Sequence, residues 1–143
     1  MAINNAARMR LVIVEDNPPD VLLVEESLKN LGIDHELTHF SDGHKALEAL
    51  KNGFLQKLQP HAVVLDLNVP KINGMEVLER LKEDESLKSV PVIVLTSSMA
   101  PDERETARRL GAALYVRKPV DLDDFLKEVG NALRAVVYGG SGC

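Results

Sequence analysis

Apolar and polar positions fall along this chain in blocks rather than residue by residue. Leu11-Val12-Ile13-Val14 runs into Glu15-Asp16, Ala62-Val63-Val64-Leu65 into Asp66, and Val92-Ile93-Val94-Leu95 into Thr96-Ser97-Ser98. Unbroken, largely β-branched runs of this length suit strands covered on both faces, the habit of parallel sheets. His35 to Phe40 is short and mixed in polarity, as an edge strand would be, and Ala113 to Val116 reads as a last short strand broken by Lys118-Pro119.

Helical spacing fills the intervals. Asn17-Pro18-Pro19-Asp20 supplies a cap and a fixed φ, after which Val21, Val24, Leu28 and Leu31 recur on one face up to Gly32. Ser41-Asp42-Gly43 turns the chain into a helix carrying Ala46, Leu47 and Leu50, ended by Gly53, and Val77, Leu78 and Leu81 mark a third. Pro101 with Asp102 and Glu103 suits the first turn of a polar fourth helix, ended by Gly111. Leu122, Phe125, Leu126, Val129 and Leu133 stripe the fifth.

Five strands alternating with five helices predict an α/β fold, a doubly wound parallel sheet with right-handed crossovers and helices on both faces. Loops that follow neighbouring strands of such a sheet meet along one edge. Glu15, Asp16, Asp66, Thr96 and Lys118 should therefore converge although they are scattered in sequence. Taken singly, Asp66 and Thr96 would serve as turn residues and Lys118 as a solvated charge, so convergence is what would make them a site.

The 143 residues are one domain's worth of chain, expected over residues 9–137, with flexible segments at 1–8 and 138–143. Seventeen basic against 22 acidic residues give a net charge of -5 with no basic run, which argues against nucleic acid as a direct partner. No apolar stretch has the length of a membrane span, and a cytoplasmic location is the default expectation. Cys143 is the single cysteine, so neither a disulfide nor a thiolate metal site forms within one chain. It closes Gly139-Gly140-Ser141-Gly142-Cys143, which has linker composition.

Glu15, Asp16 and Asp66 brought against Lys118 would leave an excess of negative charge that a divalent cation resolves. Oxygen ligands without His or Cys point to a hard ion such as Mg²⁺, with Asp16 and Asp66 as direct ligands. A carboxylate so placed, beside a lysine and a hydroxyl, suits phosphoryl transfer with Asp66 as nucleophile and an acyl phosphate as product.

An acidic pair after the first strand, Asp after the third, Thr after the fourth and Lys-Pro after the fifth resemble the receiver domain of bacterial two-component response regulators, over Met9 to about Val137. The resemblance implies the five-stranded, flavodoxin-like order 2-1-3-4-5. It implies Asp66 as phosphoacceptor, Asp16 as direct Mg²⁺ ligand, Glu15 as a ligand through water and Asn68 as a backbone-carbonyl ligand. Thr96 and Lys118 would meet the phosphoryl group, Tyr115 would be the aromatic switch, and the Lys118-Pro119 bond would be cis. The phosphoryl donor would be a sensor histidine kinase, and the fourth helix, fifth strand and fifth helix would form a face for a homodimer or a downstream protein. Asp16-Asn17-Pro18-Pro19-Asp20 is further similar to the loop of stand-alone receivers that serve bacterial phytochrome kinases. Asn73-Gly74 departs from a commoner Asp-Gly, and both suit a tight turn.

Two other readings compete. A haloacid dehalogenase-like aspartyl phosphatase would need a second acid two residues after the nucleophile, where Asn68 stands, and a flavodoxin-like electron carrier would want aromatic stacking that a chain without Trp supplies poorly. His35, His39, His44 and His61 follow no ligand spacing and are expected at the surface. Arg104, Arg108 and Arg109 read as a helix face on the expected docking surface.

Overall fold

The apolar runs pair as one parallel sheet in the order β2-β1-β3-β4-β5, the arrangement expected. The computed structural model describes residues 8–139. Its strands are β1 (Met9–Val14), β2 (His35–Phe40), β3 (Ala62–Leu65), β4 (Val92–Thr96) and β5 (Leu114–Arg117). Among the described residues the helices are α1 (Pro18–Asn30), α2 (Gly43–Lys51), α3 (Phe54–Leu58), α4 (Gly74–Glu83), α5 (Glu103–Arg109) and α6 (Leu122–Tyr138). The expected fourth and fifth helices are thus α5 and α6.

The period of two along each strand explains why the runs are apolar throughout. Val12, Val14, Val63, Leu65, Val92 and Val94 face a core closed by α2, α3, α4 and α5 through Leu47, Leu55, Leu78 and Ala107. Met9, Leu11, Ile13, Val64, Ile93 and Leu95 face a second core closed by α1 and α6 through Val24, Leu28, Phe125 and Leu133. Each Leu or Phe buried in this way is worth about 1.5–3 kcal/mol. Both faces are covered, and the rim is fixed by the core beneath it.

Some expectations hold and others are corrected. Gly53 ends α2 as expected, following the cap residue Asn52 in a left-handed conformation (φ 86), but the chain then enters the short α3, a helix the pattern did not predict because its five residues are too few to show a period. Tyr138, expected in the tail, is the last residue of α6, and Arg8, in the expected N-terminal segment, pairs with Asp34 at 3.3 Å. The rest of those two segments, 1–7 and 140–143, lies outside the described residues. Among the described residues there is no cis peptide bond, so Lys118–Pro119 is trans, the form X–Pro bonds ordinarily prefer. Gly74 is not a turn glycine: a Cβ there would stand 2.5 Å from Leu67 Cα and 2.7 Å from the Asp66 carbonyl oxygen, so it permits close approach.

Candidate functional site

Register brings the strand ends level. Val14 sits opposite Leu65, Leu65 opposite Val94, and Thr96 opposite Arg117. The ladder then continues one step into the loops, where the Asp66 N–H donates to the Val14 carbonyl at 2.9 Å and the Lys118 N–H to the Thr96 carbonyl at 2.7 Å. Side chains from opposite ends of the sequence are thereby held on ordered backbone.

The Lys118 ammonium is the centre of the resulting cluster. Its Nζ lies 2.7 Å from Asp20 Oδ2, 2.9 Å from Glu15 Oε1 and 3.1 Å from Asp66 Oδ2. Carboxylate oxygens of Glu15, Asp16 and Asp66 all fall within 4.8 Å of one another. Glu15 and Asp66 are buried and Asp16 is exposed. Burial, with the Asp66 charge and despite Lys118, pushes the Glu15 carboxyl up to about 7. Burial alone would lower the Lys118 ammonium, but its bonds to Asp20 and Glu15 and the Asp66 charge hold it above the usual lysine value. Carboxylates outnumber the ammonium, and the donors are all oxygen. This set fits a divalent cation, as the excess charge required.

Asn68 ties the acid to the hydroxyl. Its N–H donates to Asp66 Oδ1 at 3.0 Å, and its side-chain amide donates to Thr96 Oγ1 at 3.4 Å. Thr96 is fully buried and also accepts from the Ser98 N–H at 3.1 Å. Tyr115 stands apart on β5. Its hydroxyl donates to Glu103 Oε1 at 2.8 Å, its carbonyl accepts from Arg104 at 3.3 Å, and the Arg104 guanidinium lies 4.7 Å from the ring centre.

Two features escaped the sequence reading. Asp20 is a full member of the cluster, and the available signal was its place in the first turn of a helix entered from the Glu15-Asp16 loop. The histidines are not uniformly superficial. His39 and His44 are exposed as expected, but His35 is largely covered beside Glu25 at 3.3 Å. His61 Nδ1 accepts the Arg10 N–H at 2.8 Å, and His39 Nε2 lies 2.6 Å from the Glu15 carbonyl oxygen.

Comparison with known proteins agrees with this geometry. Residues 11–130 match the family described as the response regulator receiver domain. The chain is 38% identical over 121 residues to the response regulator Rcp1 of Synechocystis, a match covering 83% of this chain and 82% of that protein. The crystal structure of the phosphorylated cyanobacterial phytochrome response regulator RcpA superposes with a TM-score of 0.83 at 30% identity, covering 96% of this chain and 98% of that one. The Mn(2+)-bound form of Rcp1 superposes with a TM-score of 0.81 at 35% identity, covering 90% and 94%. Among the described residues no helix is long and apolar enough to cross a membrane.

Proposed function

The chain belongs to the response regulator receiver domain family, and from that membership we propose that Asp66 is the residue that receives the phosphoryl group. A receiver signals by gaining and losing a phosphoryl group on itself, and a sensor histidine kinase is its partner. Turnover of an external substrate, as in the haloacid dehalogenase-like alternative, finds no support.

One observation carries the assignment of Asp66: its two oxygens are engaged separately, Oδ1 by the Asn68 N–H and Oδ2 by Lys118, 52 residues away. In the proposed step a carboxylate oxygen of Asp66 attacks the phosphorus of a phosphohistidine. The new P–O bond forms as the P–N bond breaks, and the electron pair returns to the imidazole. Mg²⁺, when bound, supplies charge neutralisation for the transferring oxygens. Asp16 and Asp66 would hold it directly, Glu15 through water and Asn68 through its backbone carbonyl. Lys118 and the Thr96 hydroxyl then turn to the new charge. Thr96 Oγ1 accepts from Asn68 and Ser98 and keeps its O–H free to donate, so its shift toward the new charge pulls on the Ser98 N–H and couples phosphorylation to the β4–α5 loop. Tyr115, beside that loop, is the proposed reporter.

The proposal extends to partners. The likeness to RcpA supports a phytochrome-type kinase as donor. Exposed Leu114, Val120 and Leu122 support a homodimer or downstream contact through α5, β5 and α6. A cytoplasmic location belongs to the same reading. Incubation with acetyl phosphate and Mg²⁺ should add one phosphoryl group to the intact mass, and Asp66→Asn should abolish the gain. A wild-type protein that gains no mass overturns the assignment.

A further inference from the structure

The structure assigns to Asp20 the positioning of Lys118: it anchors the ammonium on a carboxylate that the cation does not use. This inference rests on the cation site proposed above. The Lys118 ammonium donates hydrogen bonds to Asp20 and Asp66 and is ion-paired with Glu15, so carboxylates surround it. Glu15 and Asp66 belong to the group that could hold a metal ion, whereas Asp20 stands outside it. Asp20 also makes the shortest of the three contacts, 2.7 Å against 2.9 and 3.1 Å. Its backbone is set by Pro18 and Pro19 at the start of α1, and the helix is pinned to the core by Val21, Val24 and Leu28. The carboxylate is therefore held on a rigid element, and its side chain is only 17% exposed.

Without that negative charge the ammonium loses its nearest partner and falls back on Glu15 and Asp66. Those are oxygens a cation must have. Lys118, which already touches Glu15 and Asp66 at 2.9 and 3.1 Å, then competes with the cation more strongly than it does when Asp20 holds it. A plain structural role is the rival explanation, because an acid in the first turn of a helix favours the helix by itself. The two differ in what they move: a helix role lowers the melting temperature alone, and an anchor changes cation affinity.

Calorimetric titration of the full chain with Mg²⁺ and with Mn²⁺ separates them. Asp20→Asn keeps the shape and removes the charge, and should weaken both ions about tenfold, the scale on which groups that orient metal ligands act. Asp20→Glu should recover part of the loss. In a Lys118→Met background Asp20→Asn should change affinity by less than about twofold, because the residue through which it acts is gone. An equal loss in that background means the charge acts through space on the cation, and overturns the inference. So does unchanged affinity in Asp20→Asn while Asp16→Asn abolishes binding. Unchanged affinity in Asp16→Asn would instead overturn the cation site itself.

Discussion

The Tyr115 hydroxyl donates to Glu103 Oε1 at 2.8 Å, so the ring of β5 is moored to the first residue of α5. Burial and the Glu103 carboxylate together push the phenol up to about 12. A cavity of about 250 Å³, lined by Ser98, Pro101, Arg117 and others, lies against the same ring. Glu103→Ala removes an acceptor worth about 1 kcal/mol and gives the ring room to leave. The Tyr115 ring resonances should broaden or shift while those of Tyr138, on α6, stay as they are. An unchanged Tyr115 spectrum would mean that Arg104 stacking holds the ring without Glu103.

Gly74 governs the other side of the site. An added Cβ would meet the Leu67 Cα and the Asp66 carbonyl, both backbone atoms that no rotamer change can move aside. Gly74→Ala should therefore cost about 2–3 kcal/mol in denaturant unfolding and slow acetyl phosphate labelling of Asp66, because the strand end that carries the acid must shift. A loss below about 0.5 kcal/mol would show that the loop yields freely.

These residues mark where the sequence could be read and where it could not. The strands were legible because β-branched runs bounded by acids or hydroxyls have few alternative uses. Once the strands alternate with helices, chain topology alone brings Asp66 and Lys118 to one rim. Asp20 was not legible, because its partner lies 98 residues away and an acid in a helix's first turn needs no further explanation. Gly74 was misread as turn chemistry, since only the position of neighbouring backbone distinguishes a turn from a close approach. His61 was misread for the same reason: its partner is a main-chain N–H on another strand.

That histidine should make stability depend on pH. His61 Nδ1 accepts the Arg10 N–H where β1 meets β3, and a protonated ring would turn a donor toward a donor. Burial first, and the Arg10 charge second, hold its pKa below the ordinary value. The unfolded chain therefore takes up the proton before the folded one does. The contribution is complete above about pH 6.5 and is lost as pH falls through the folded value. Between pH 7.5 and 5 the wild type should lose on the order of 1 kcal/mol more than His61→Gln, read from urea midpoints. Parallel losses in the two proteins would reject this.

Lys118 should be destabilising to remove, yet replaceable by a cation. Lys118→Met leaves Glu15, Asp20 and Asp66 without the ammonium that now touches all three. Breaking a largely buried ion pair from one side costs about 3 kcal/mol, or about 10 °C in a domain of this size. Glu15, already held near 7, takes up a proton first and relieves part of the repulsion, so the loss should be smaller at pH 6 than at pH 8. A divalent cation supplies the missing charge at oxygens already clustered within 4.8 Å. Mg²⁺ should thus raise the melting temperature of Lys118→Met more than that of the wild type, whose ammonium occupies some of the same oxygens. Equal Mg²⁺ shifts in the two proteins would mean that lysine and cation do not compete, and that the excess charge of the cluster is neutralised elsewhere.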